Sequence, residues 1–312
     1  MEEKFKKFKF FLLDKFSSTL IVNLFSDIYI LFLKIYVNFS CFFFRKPKII
    51  NLNINKRYAK IKIYLNPKNG FLDKYIYAQK KWDDLNTQII INNLRKNQYF
   101  IDIGSNIGYF SLLASTIVGK KGKIIAIEPL KKLYQQIKLS KKINSYNNIK
   151  VYNFGLSDKN IKKKIYIQKK SIASSSIYKE NIINFSFFKG FIFNKLFEKK
   201  NIIKSENIIL KKLDNLIKCK VDFIKMDIEG EEYKALLGMK QILKKYKPKL
   251  IIEINNLKLK KKYSEKIYEF LYKLKYDIYF NYNLKKKITI NDFKKITKNE
   301  IVDIFCEKKQ QA

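Results

Sequence analysis

Acidic side chains stand where three apolar stretches of this sequence end, and they give the chain its clearest capacity for chemistry. Asp102 lies near the end of the stretch that begins at Tyr99, Glu128 follows the next one, and Asp227 and Glu229 follow a later one. In open α/β sheets the carboxyl ends of the strands meet at one edge, where ligands bind. Carboxylates at that edge can bind hydroxyl groups, attract a cation or accept a proton. The sequence therefore predicts a small-molecule site lined by acids.

The turn after the first stretch reads Gly104-Ser105-Asn106-Ile107-Gly108, and its spacing limits which ligand it can accept. A dinucleotide turn requires G-x-G-x-x-G, because the second glycine lets the backbone approach a pyrophosphate. Asn106 takes that second position here, and the Lys-Ser/Thr pair of a phosphate-binding loop is missing. The turn instead suits a cofactor that has a ribose, a base and a cation but no phosphate.

Two acids beside the turn support this interpretation. Glu128 is placed to accept hydrogen bonds from both ribose hydroxyls, the role that an acid plays at this position in nucleotide sites. Asp102 adds negative charge at the mouth, which favours a bound cation in a partly dry cleft. S-adenosylmethionine combines these features, and we predict it as the cofactor.

The elements that must position these residues alternate in the order of a doubly wound sheet. Five strand–helix units, then a helix and two closely spaced strands, predict a Rossmann-like α/β fold with a mostly parallel, seven-stranded sheet and an antiparallel end. One strand runs from residue 99 to the glycine turn; the other six are predicted over residues 123–127, 149–154, 221–226, 249–254, 277–281 and 300–306. An additional strand is predicted over 161–168, and helices over 82–94, 109–118, 130–144, 233–245 and 261–273.

Three segments follow from this pattern. Residues 1–47 form an apolar, amphipathic helical segment, 48–98 an accessory β-hairpin (48–54 with 59–65) and a lead-in helix, and 99–308 the Rossmann-like domain. The last contains an insertion at about 171–207, which starts with a serine cluster and continues with a patch of phenylalanines. Long irregular segments inside a compact domain are usually functional or mobile. We expect 171–197 to be irregular and to form either a hydrophobic flap over the sheet edge or a lid that faces the substrate.

The net charge of +39 ordinarily indicates nucleic acid or an anionic membrane surface as partner. Only three of the 66 basic residues are arginine, however, and the chain is also rich in Ile, Asn, Tyr and Phe. A drift toward residues with AT-rich codons explains this composition, whereas a nucleic-acid groove would favour the bidentate arginine fork. The sequence therefore favours solvated lysines over a nucleic-acid site.

The cysteines Cys41, Cys219 and Cys306 are odd in number and far apart. They form neither a disulfide framework nor a metal cluster, so we expect a reducing cytoplasmic setting. We predict no metal site, and the sequence leaves the oligomeric state open.

Residues 8–44 are rich in Phe, Leu and Ile, which calls for a test of membrane insertion. Asp14, Lys15, Asp27 and Lys34 interrupt the region, so no uncharged run reaches the ~18 to 20 residues that a spanning helix needs. No small-residue cleavage pattern of a signal peptide follows it. We expect one or two amphipathic helices that pack on the domain or mediate self-association. Peripheral attachment to anionic lipid through the surrounding lysines is the alternative.

Five blocks of sequence together resemble the FkbM family of S-adenosylmethionine-dependent methyltransferases. In chain order they are Y-F-I-D-I-G-S-N-I-G-Y-F-S-L-L-A, I-I-A-I-E-P, V-Y-N-F-G-L-S-D, V-D-F-I-K-M-D-I-E-G-E-E-Y-K-A-L-L-G and K-P-K-L-I-I-E-I. The first block is shared by many class I methyltransferases, whereas the fourth is far more specific. The resemblance covers about residues 48–256 and implies the class I methyltransferase fold.

The resemblance also implies which residues bind the cofactor. These residues belong to the turn, to the acid after the second strand and to the loop after the third strand. Asp102, Gly104 and Asn106 would surround the methionine part, with Gly108 closing the turn, Glu128 on the ribose, and Leu156, Ser157 and Asp158 near the adenine.

The same resemblance implies that Asp227, Glu229 and Gly230 line the reaction cleft. We predict Asp227 or Glu229 as the general base, because the chain has no histidine. Lys225 is less favoured, since it lies within the predicted strand. Capping of the following helix is the alternative role for the two acids, because acids in a first turn complement the helix dipole.

The predicted reaction is methyl transfer to an oxygen, with a sugar hydroxyl of a glycan or glycosylated metabolite as the acceptor that the resemblance implies. An RNA methyltransferase is one alternative, but amino-nitrogen methylation usually requires D/N-P-P-Y/F at a strand end, where this chain has M-D-I-E-G. A cytosine-C5 enzyme needs a cysteine nucleophile in the cleft, and Cys219 precedes its strand. The remaining alternative is a non-catalytic domain that kept the fold, which the intact Asp102, Gly104 and Glu128 oppose.

Overall fold

The computed structural model describes residues 19–58, 60–168, 171–178, 203–255, 261–297 and 301–309. The strands are β1 Lys48–Asn51, β2 Lys62–Leu65, β3 Tyr99–Ile103, β4 Lys123–Ile127, β5 Ile149–Tyr152, β6 Gly155–Leu156, β7 Ile161–Gln168, β8 Ser171–Ser176, β9 Ile203–Lys211, β10 Phe223–Met226, β11 Lys249–Asn255, β12 Tyr276–Phe280 and β13 Ile301–Lys308. The helices are α1 Thr19–Ser40, α2 Phe71–Gln79, α3 Asp84–Asn93, α4 Tyr109–Val118, α5 Lys131–Ile143, α6 Glu232–Gly238, α7 Lys240–Tyr246, α8 Lys261–Lys273 and α9 Ile290–Thr297.

The central sheet has seven strands in the order β12-β13-β11-β10-β3-β4-β5. Strands β11, β10, β3, β4 and β5 run parallel, whereas β13 pairs antiparallel with both β11 and β12. The order places β3, which precedes the glycine turn, between β4 and β10. This arrangement confirms the predicted doubly wound sheet with an antiparallel end.

Strand β3 is buried on both of its faces, which explains its nearly continuous apolar sequence. Phe100 belongs to one hydrophobic core and lies 5.6 Å from the ring of Phe223 on β10. Ile101 and Ile103 point to the other face and belong to a second core. Burial of each of these side chains stabilises the fold by about 1.5–3 kcal/mol. The strand therefore fixes the position of the turn that follows it.

The predicted hairpin over 48–54 and 59–65 is present as the shorter antiparallel pair of β1 and β2. Beside it, α1 and the residues just after it pack on α2 through the buried side chains Val37, Cys41 and Phe44. The Phe44 ring stacks on Tyr77 at 4.2 Å. In the part of the chain that the structure describes, no helix is long and apolar enough to cross a membrane.

A second sheet has four strands in the order β6-β9-β7-β8. The sequence predicted β7 with its observed bounds but predicted residues 171–176 as irregular, which is wrong. Those residues form β8, which pairs antiparallel with β7. Serine has little strand preference of its own, and tertiary pairing decides the conformation here. Residues 179–197, the rest of the predicted flap or lid, lie outside the described residues.

Two further expectations need correction. The helix predicted over 233–245 is divided at Met239 into α6 and α7. The last residue before the break, Gly238, faces the main-chain carbonyl of Ser157 without room for a side chain. The connection between the last two strands contains α9, whose first turn is capped by Asp292: its carboxylate accepts the Thr289 N–H at 3.0 Å. This capping signal was present in the sequence.

Candidate active site

The candidate site lies where β4, β3 and β10 end side by side. Their register pairs Ile103 with Ile127 on one side and with Met226 on the other. The next residues, Gly104, Glu128 and Asp227, therefore share one edge of the sheet, as the sequence predicted. Two main-chain hydrogen bonds of 3.0 Å, from Gly104 N–H to Ile127 O and from Asp227 N–H to Ile103 O, continue the ladder to this point.

The glycine turn packs directly against the end of β10. Gly104 has a φ of +73°, and a side chain there would collide with the main-chain carbonyl of Asp227. Asn106 and Gly108 also have positive φ, 52° and 86°. Asparagine tolerates this left-handed conformation better than most residues do. The turn thus brings bare main chain to the crevice, which a ligand can approach closely.

Glu128 is a fixed part of this turn rather than a free side chain. It is 4% exposed, and its two carboxylate oxygens accept the N–H groups of Asn106 and Leu130, each at 2.9 Å. Burial raises the pKa of Glu128 to about 8, although these N–H groups oppose the shift. Each carboxylate oxygen has two lone pairs, so one on each oxygen remains for a ribose hydroxyl. The geometry fits the predicted role.

Asp102 is almost completely buried under the turn. Its Oδ2 accepts the Ser111 hydroxyl at 2.5 Å, whereas its Oδ1 has no hydrogen-bond partner among the described residues. Burial raises the pKa of Asp102, and the nearby Lys225 ammonium opposes this. A buried carboxylate oxygen without a partner is rare in proteins and suits a cationic ligand group. The donor set therefore fits S-adenosylmethionine.

A cavity of about 40 Å³ lies beside the turn. Its lining is mostly apolar and includes Ile103, Ile127 and the predicted residue Leu156. The second sheet closes it through Ser176 and Ile177, just after β8. A flat apolar base fits such surroundings better than a charged group does.

The other two residues of the predicted adenine loop lie behind this lining. Ser157 is buried, and its hydroxyl donates to Glu231 Oε2 at 3.1 Å and to Asp158 Oδ1 at 3.2 Å. Glu231 also accepts the Tyr178 hydroxyl at 2.5 Å and the Lys234 ammonium at 2.8 Å. Glu231 was not predicted as a site residue. Its hydrogen bonds connect the loop, the segment after β8 and α6.

On the far side of Gly104, the predicted reaction cleft contains a group of half-buried carboxylates. Oxygens of Asp227, Glu229 and Glu253 lie within 4.8 Å of one another. Asn255 joins the group, because its Nδ2 donates to Glu229 Oε2 at 3.2 Å. Glu253 and Asn255 were not predicted as site residues. The signal was available, since residues two apart at the end of a strand share a face.

A neighbouring acid, Glu232, binds the main chain of the turn that carries Asp227 and Glu229. Glu232, at the start of α6, accepts the Gly230 N–H at 3.0 Å and the Ile228 N–H at 3.3 Å. It is this carboxylate that satisfies the first main-chain donors of the turn. The Asp227 side chain instead faces Lys225, with Nζ and Oδ2 3.4 Å apart.

Lys225 reaches the cleft although it lies within β10. Its Nζ lies 4.9 Å from the ring centre of Phe110, and the residue is 4% exposed. Burial opposes its charge, but the carboxylates of Asp227 and Asp102 outweigh burial and raise its pKa. A lysine held as ammonium cannot accept a proton, which agrees with its lower rank as a base.

Comparison with known proteins places this site in a family. The family model for the methyltransferase FkbM domain matches residues 102–278, more than half of the chain. No curated protein matches the chain.

Among solved structures, the FkbM methyltransferase of Methylobacillus flagellatus KT is 16% identical with a TM-score of 0.41; the match covers 75% of this chain and 52% of that one, so this chain spans about half its length. SMU.1697c of Streptococcus mutans, solved in complex with SAH, is 12% identical with a TM-score of 0.41, and the match covers 72% and 96%. An rRNA methylase from Streptococcus thermophilus is 10% identical with a TM-score of 0.41, and the match covers 73% and 96%.

The family match starts at Asp102 and continues beyond β11, so it includes the turn, Glu128 and the carboxylates of the cleft. These are the blocks on which the resemblance was based, and both that resemblance and the predicted cofactor are confirmed. The chain belongs to the FkbM family of methyltransferases and uses S-adenosylmethionine as its cofactor.

Proposed function

We propose that this enzyme transfers a methyl group to a hydroxyl oxygen, and that the acceptor is a sugar of a glycan or glycosylated metabolite. One observation supports this above others. Carboxylates that can take the proton of a hydroxyl, Asp227 and Glu229, stand across Gly104 from the ribose-binding acid Glu128. An alcohol must lose its proton during methylation, and the chain has no histidine for that task.

The cofactor half of the site positions the donor. S-adenosylmethionine supplies an activated methyl group on its sulfonium, so the protein need not activate the donor further. Glu128 would bind the ribose hydroxyls, and Asp102 Oδ1 would receive the positively charged end of the methionine part. The bare main chain of Gly104 lets the ligand lie against the turn.

The acceptor half positions and deprotonates the hydroxyl. Asp227 is an accessible base, because its side chain is 35% exposed and can reach an incoming hydroxyl. As the new O–C bond forms, the C–S bond breaks and the hydroxyl proton passes to the carboxylate. Holding the oxygen ~3 Å from the methyl carbon can provide much of the rate enhancement.

A polyhydroxylated acceptor suits the groups around this base. Glu253 and Asn255 add a carboxylate and an amide next to Asp227 and Glu229. Vicinal hydroxyls both donate and accept hydrogen bonds, and such a set of oxygens with an amide can bind them. The strand end also lacks the aromatic residue that would stack on a nucleic-acid base.

The test is a direct competition among acceptor classes. Purified protein with methyl-labelled S-adenosylmethionine would be offered lipid-linked glycans, nucleotide sugars and RNA side by side. We expect label in one of the two sugar fractions. Label in RNA alone would overturn the proposal. Full activity of both Asp227→Asn and Glu229→Gln would overturn the assignment of the base but not the methyltransferase activity.

A further inference from the structure

We propose that Asp227, Glu229 and Glu253, together with the amide oxygen of Asn255, bind a hard divalent cation in the acceptor half of the site. The proposal rests on the proposed function, because the cation would lie where the acceptor hydroxyl must bind. The sequence had indicated no metal site, since its cysteines are dispersed and it has no histidine. A site built only from oxygen ligands does not depend on either residue type.

The geometry brings the ligand atoms close enough for one ion. One oxygen from each of the three carboxylates lies within 4.8 Å of the other two. Ligands at about 2.1–2.5 Å from a shared Mg²⁺ or Ca²⁺ lie at most about 4–5 Å apart, so oxygens at these separations are within reach of one ion. All three side chains are half-buried, so an ion can enter from solvent.

The local charge balance calls for a cation. Among the groups of the cluster, three carboxylates face one ammonium, that of Lys225, which lies 3.4 Å from Asp227 Oδ2. Asp303, paired with Glu253 across β11 and β13, adds another acid nearby. Like charges at this separation repel strongly in a partly buried site. A divalent ion would reduce this repulsion.

A second observation points to a ligand independently of the acids. Asn255 is 1% exposed, and its Oδ1 has no hydrogen-bond partner among the described residues. Its Nδ2 donates to Glu229 Oε2, so the carboxamide lies at the carboxylate cluster with its nitrogen toward Glu229, and a half-turn of the amide would bring Oδ1 to an ion held there. Buried amide oxygens without a partner are rare. An asparagine oxygen is a usual ligand of hard cations, and coordination would satisfy this atom.

A cation here would serve the proposed reaction. An ion held by Glu253, Glu229 and Asp227 can bind an acceptor hydroxyl and its neighbour, which orients the sugar. The ion also lowers the pKa of that hydroxyl, and a carboxylate oxygen that does not bind the ion takes the proton. The site therefore favours acceptors with vicinal hydroxyls.

The test is a Mn²⁺ titration of the full chain, followed by electron paramagnetic resonance of free Mn²⁺. We expect one Mn²⁺ site per wild-type chain. Glu253→Gln should lower its Mn²⁺ affinity at least about tenfold, because even residues that only orient a metal ligand change the affinity by about 10- to 100-fold. Glu265→Gln is the control, because Glu265 pairs with Lys294 at 3.4 Å outside the cluster. Mn²⁺ should also raise the melting temperature of wild type but not of Glu253→Gln.

No binding by wild type up to about 1 mM Mn²⁺, or equal binding by wild type and Glu253→Gln, would overturn the cation site. Without metal, Glu253→Gln should melt at or above the wild-type temperature, because it removes a repelling charge. A loss of Mn²⁺ binding in a variant that melts in this way does not result from unfolding. S-adenosylhomocysteine binding measured on the same samples tests the proposed function separately. A chain that binds Mn²⁺ but not this product would retain the cation site and lose the methyltransferase assignment.

A second inference comes from a different observation, the exposed apolar face of α1 and the residues after it. We infer that this face binds an anionic lipid surface. The side chains of this face are 43% to 83% exposed, and its members are Ile28, Leu31, Phe32, Ile35, Tyr36 and Phe39 on the helix and Phe42 and Phe43 just after it. The opposite side of the helix already packs on α2. Contiguous exposed apolar surface of this kind marks an interaction site.

Charge favours lipid over a second copy of the chain. Arg45, Lys46 and Lys48 are exposed just after the face. The sequence before α1 adds five lysines against three acids. Two copies that met through this face would bring like charges together, whereas the cytoplasmic face of a membrane is negative. Aromatic residues beside basic ones are typical of helices that lie in the membrane interface.

Vesicle sedimentation tests this inference with phosphatidylcholine alone and with about a third of phosphatidylglycerol. We expect wild type to bind the anionic vesicles more strongly. The double variant Phe39→Ser, Phe43→Ser should lower the partition coefficient at least about tenfold, because each aromatic ring loses its burial in the interface. Leu139→Ser, at an exposed position of α5, is the control. Unchanged partition of the double variant, or a wild-type dimer that this variant separates, would overturn the inference.

Discussion

The two halves of the site differ in how their acids are satisfied. In the cofactor half, at the ends of β3 and β4, Asp102 and Glu128 accept hydrogen bonds of 2.5–2.9 Å from Ser111 and from main-chain N–H groups. In the acceptor half, at the ends of β10 and β11, three carboxylates face one another with one lysine among them. Hydrogen bonds hold both acids of the cofactor half in place, and Asp102 Oδ1 is left for the ligand. The carboxylates of the acceptor half repel one another. That half is therefore shaped for a ligand that carries positive charge or can donate a proton.

This difference separates the tasks of the two halves. Changes in the cofactor half should alter binding of S-adenosylmethionine and its product, whereas changes in the acceptor half should alter methyl transfer. The account fails if the two kinds of change have the same effect. The predictions below test this separation.

The largest effect is expected in the acceptor half. Asp227→Asn should lower the rate of methyl transfer about 100-fold or more at saturating cofactor, because general-base catalysis contributes about 10²–10⁴-fold. Affinity for S-adenosylhomocysteine should change little, since Glu128 and the turn are untouched. Initial rates with the acceptor found in the labelling experiment, and calorimetry for the product, measure the two effects. Equal losses of rate and of product affinity would contradict the separation.

The second test compares two glycines with similar φ. Gly104 and Gly119 have φ of +73° and +70°, but only at Gly104 would a side chain meet the neighbouring strand. Gly119→Ala should cost about 1–3 kcal/mol of unfolding free energy through backbone strain and leave product binding intact. Gly104→Ala should cost more and abolish binding, because the turn must move away from Asp227. Urea unfolding and calorimetry measure both, and equal behaviour of the two variants would exclude the close approach.

The third test uses the raised pKa of Glu128. The ligand-free carboxyl titrates at about 8, and ribose hydroxyls donate best to its ionised form. Binding should therefore lower that pKa, so affinity should rise as pH increases from 6.5 toward 8.5 and then level off. The suitable ligand is 5′-methylthioadenosine, which has the ribose and base but no amine that titrates in this range. Glu128→Gln should weaken binding about tenfold or more at pH 8.5 and remove the pH dependence. A flat wild-type profile would contradict the ribose role.

The smallest effect is expected where the second sheet joins the cofactor half. Tyr178→Phe removes the 2.5 Å hydrogen bond to Glu231, which should cost about 1 kcal/mol of unfolding free energy. Urea denaturation measures it, with Tyr272→Phe as the control, because Tyr272 is 62% exposed. A loss for Tyr272→Phe as large as for Tyr178→Phe would show that the Glu231 contact contributes nothing specific.

The same contrast explains how much of the site could be predicted. Asp102, Gly104, Asn106 and Glu128 are set by local sequence, since strand ends and glycine turns leave clear patterns. The acceptor cluster forms only when the ends of β10 and β11 meet in the sheet. This brings Glu229 and Asn255 together, although they are 26 residues apart in the sequence. Their proximity depends on strand order and register, which no local pattern encodes.

The fold shows the same limit. The central strands were predicted because buried apolar runs between turn residues are distinctive. Strand β8 was not, because the serines of 171–176 acquire their conformation only by pairing with β7. The division of one predicted helix at Met239 likewise lies beside a close approach of Gly238 to Ser157, which is distant in the sequence.

Calorimetry of S-adenosylhomocysteine binding at pH 8.5 tests the central claim most directly, with wild type, Glu128→Gln and Glu253→Gln compared. We predict one site per wild-type chain, affinity lower by about tenfold or more in Glu128→Gln, and wild-type affinity in Glu253→Gln. Thermal melting of the same samples confirms that each variant is folded. Absence of binding by wild type, or equal affinity of wild type and Glu128→Gln, would contradict the account.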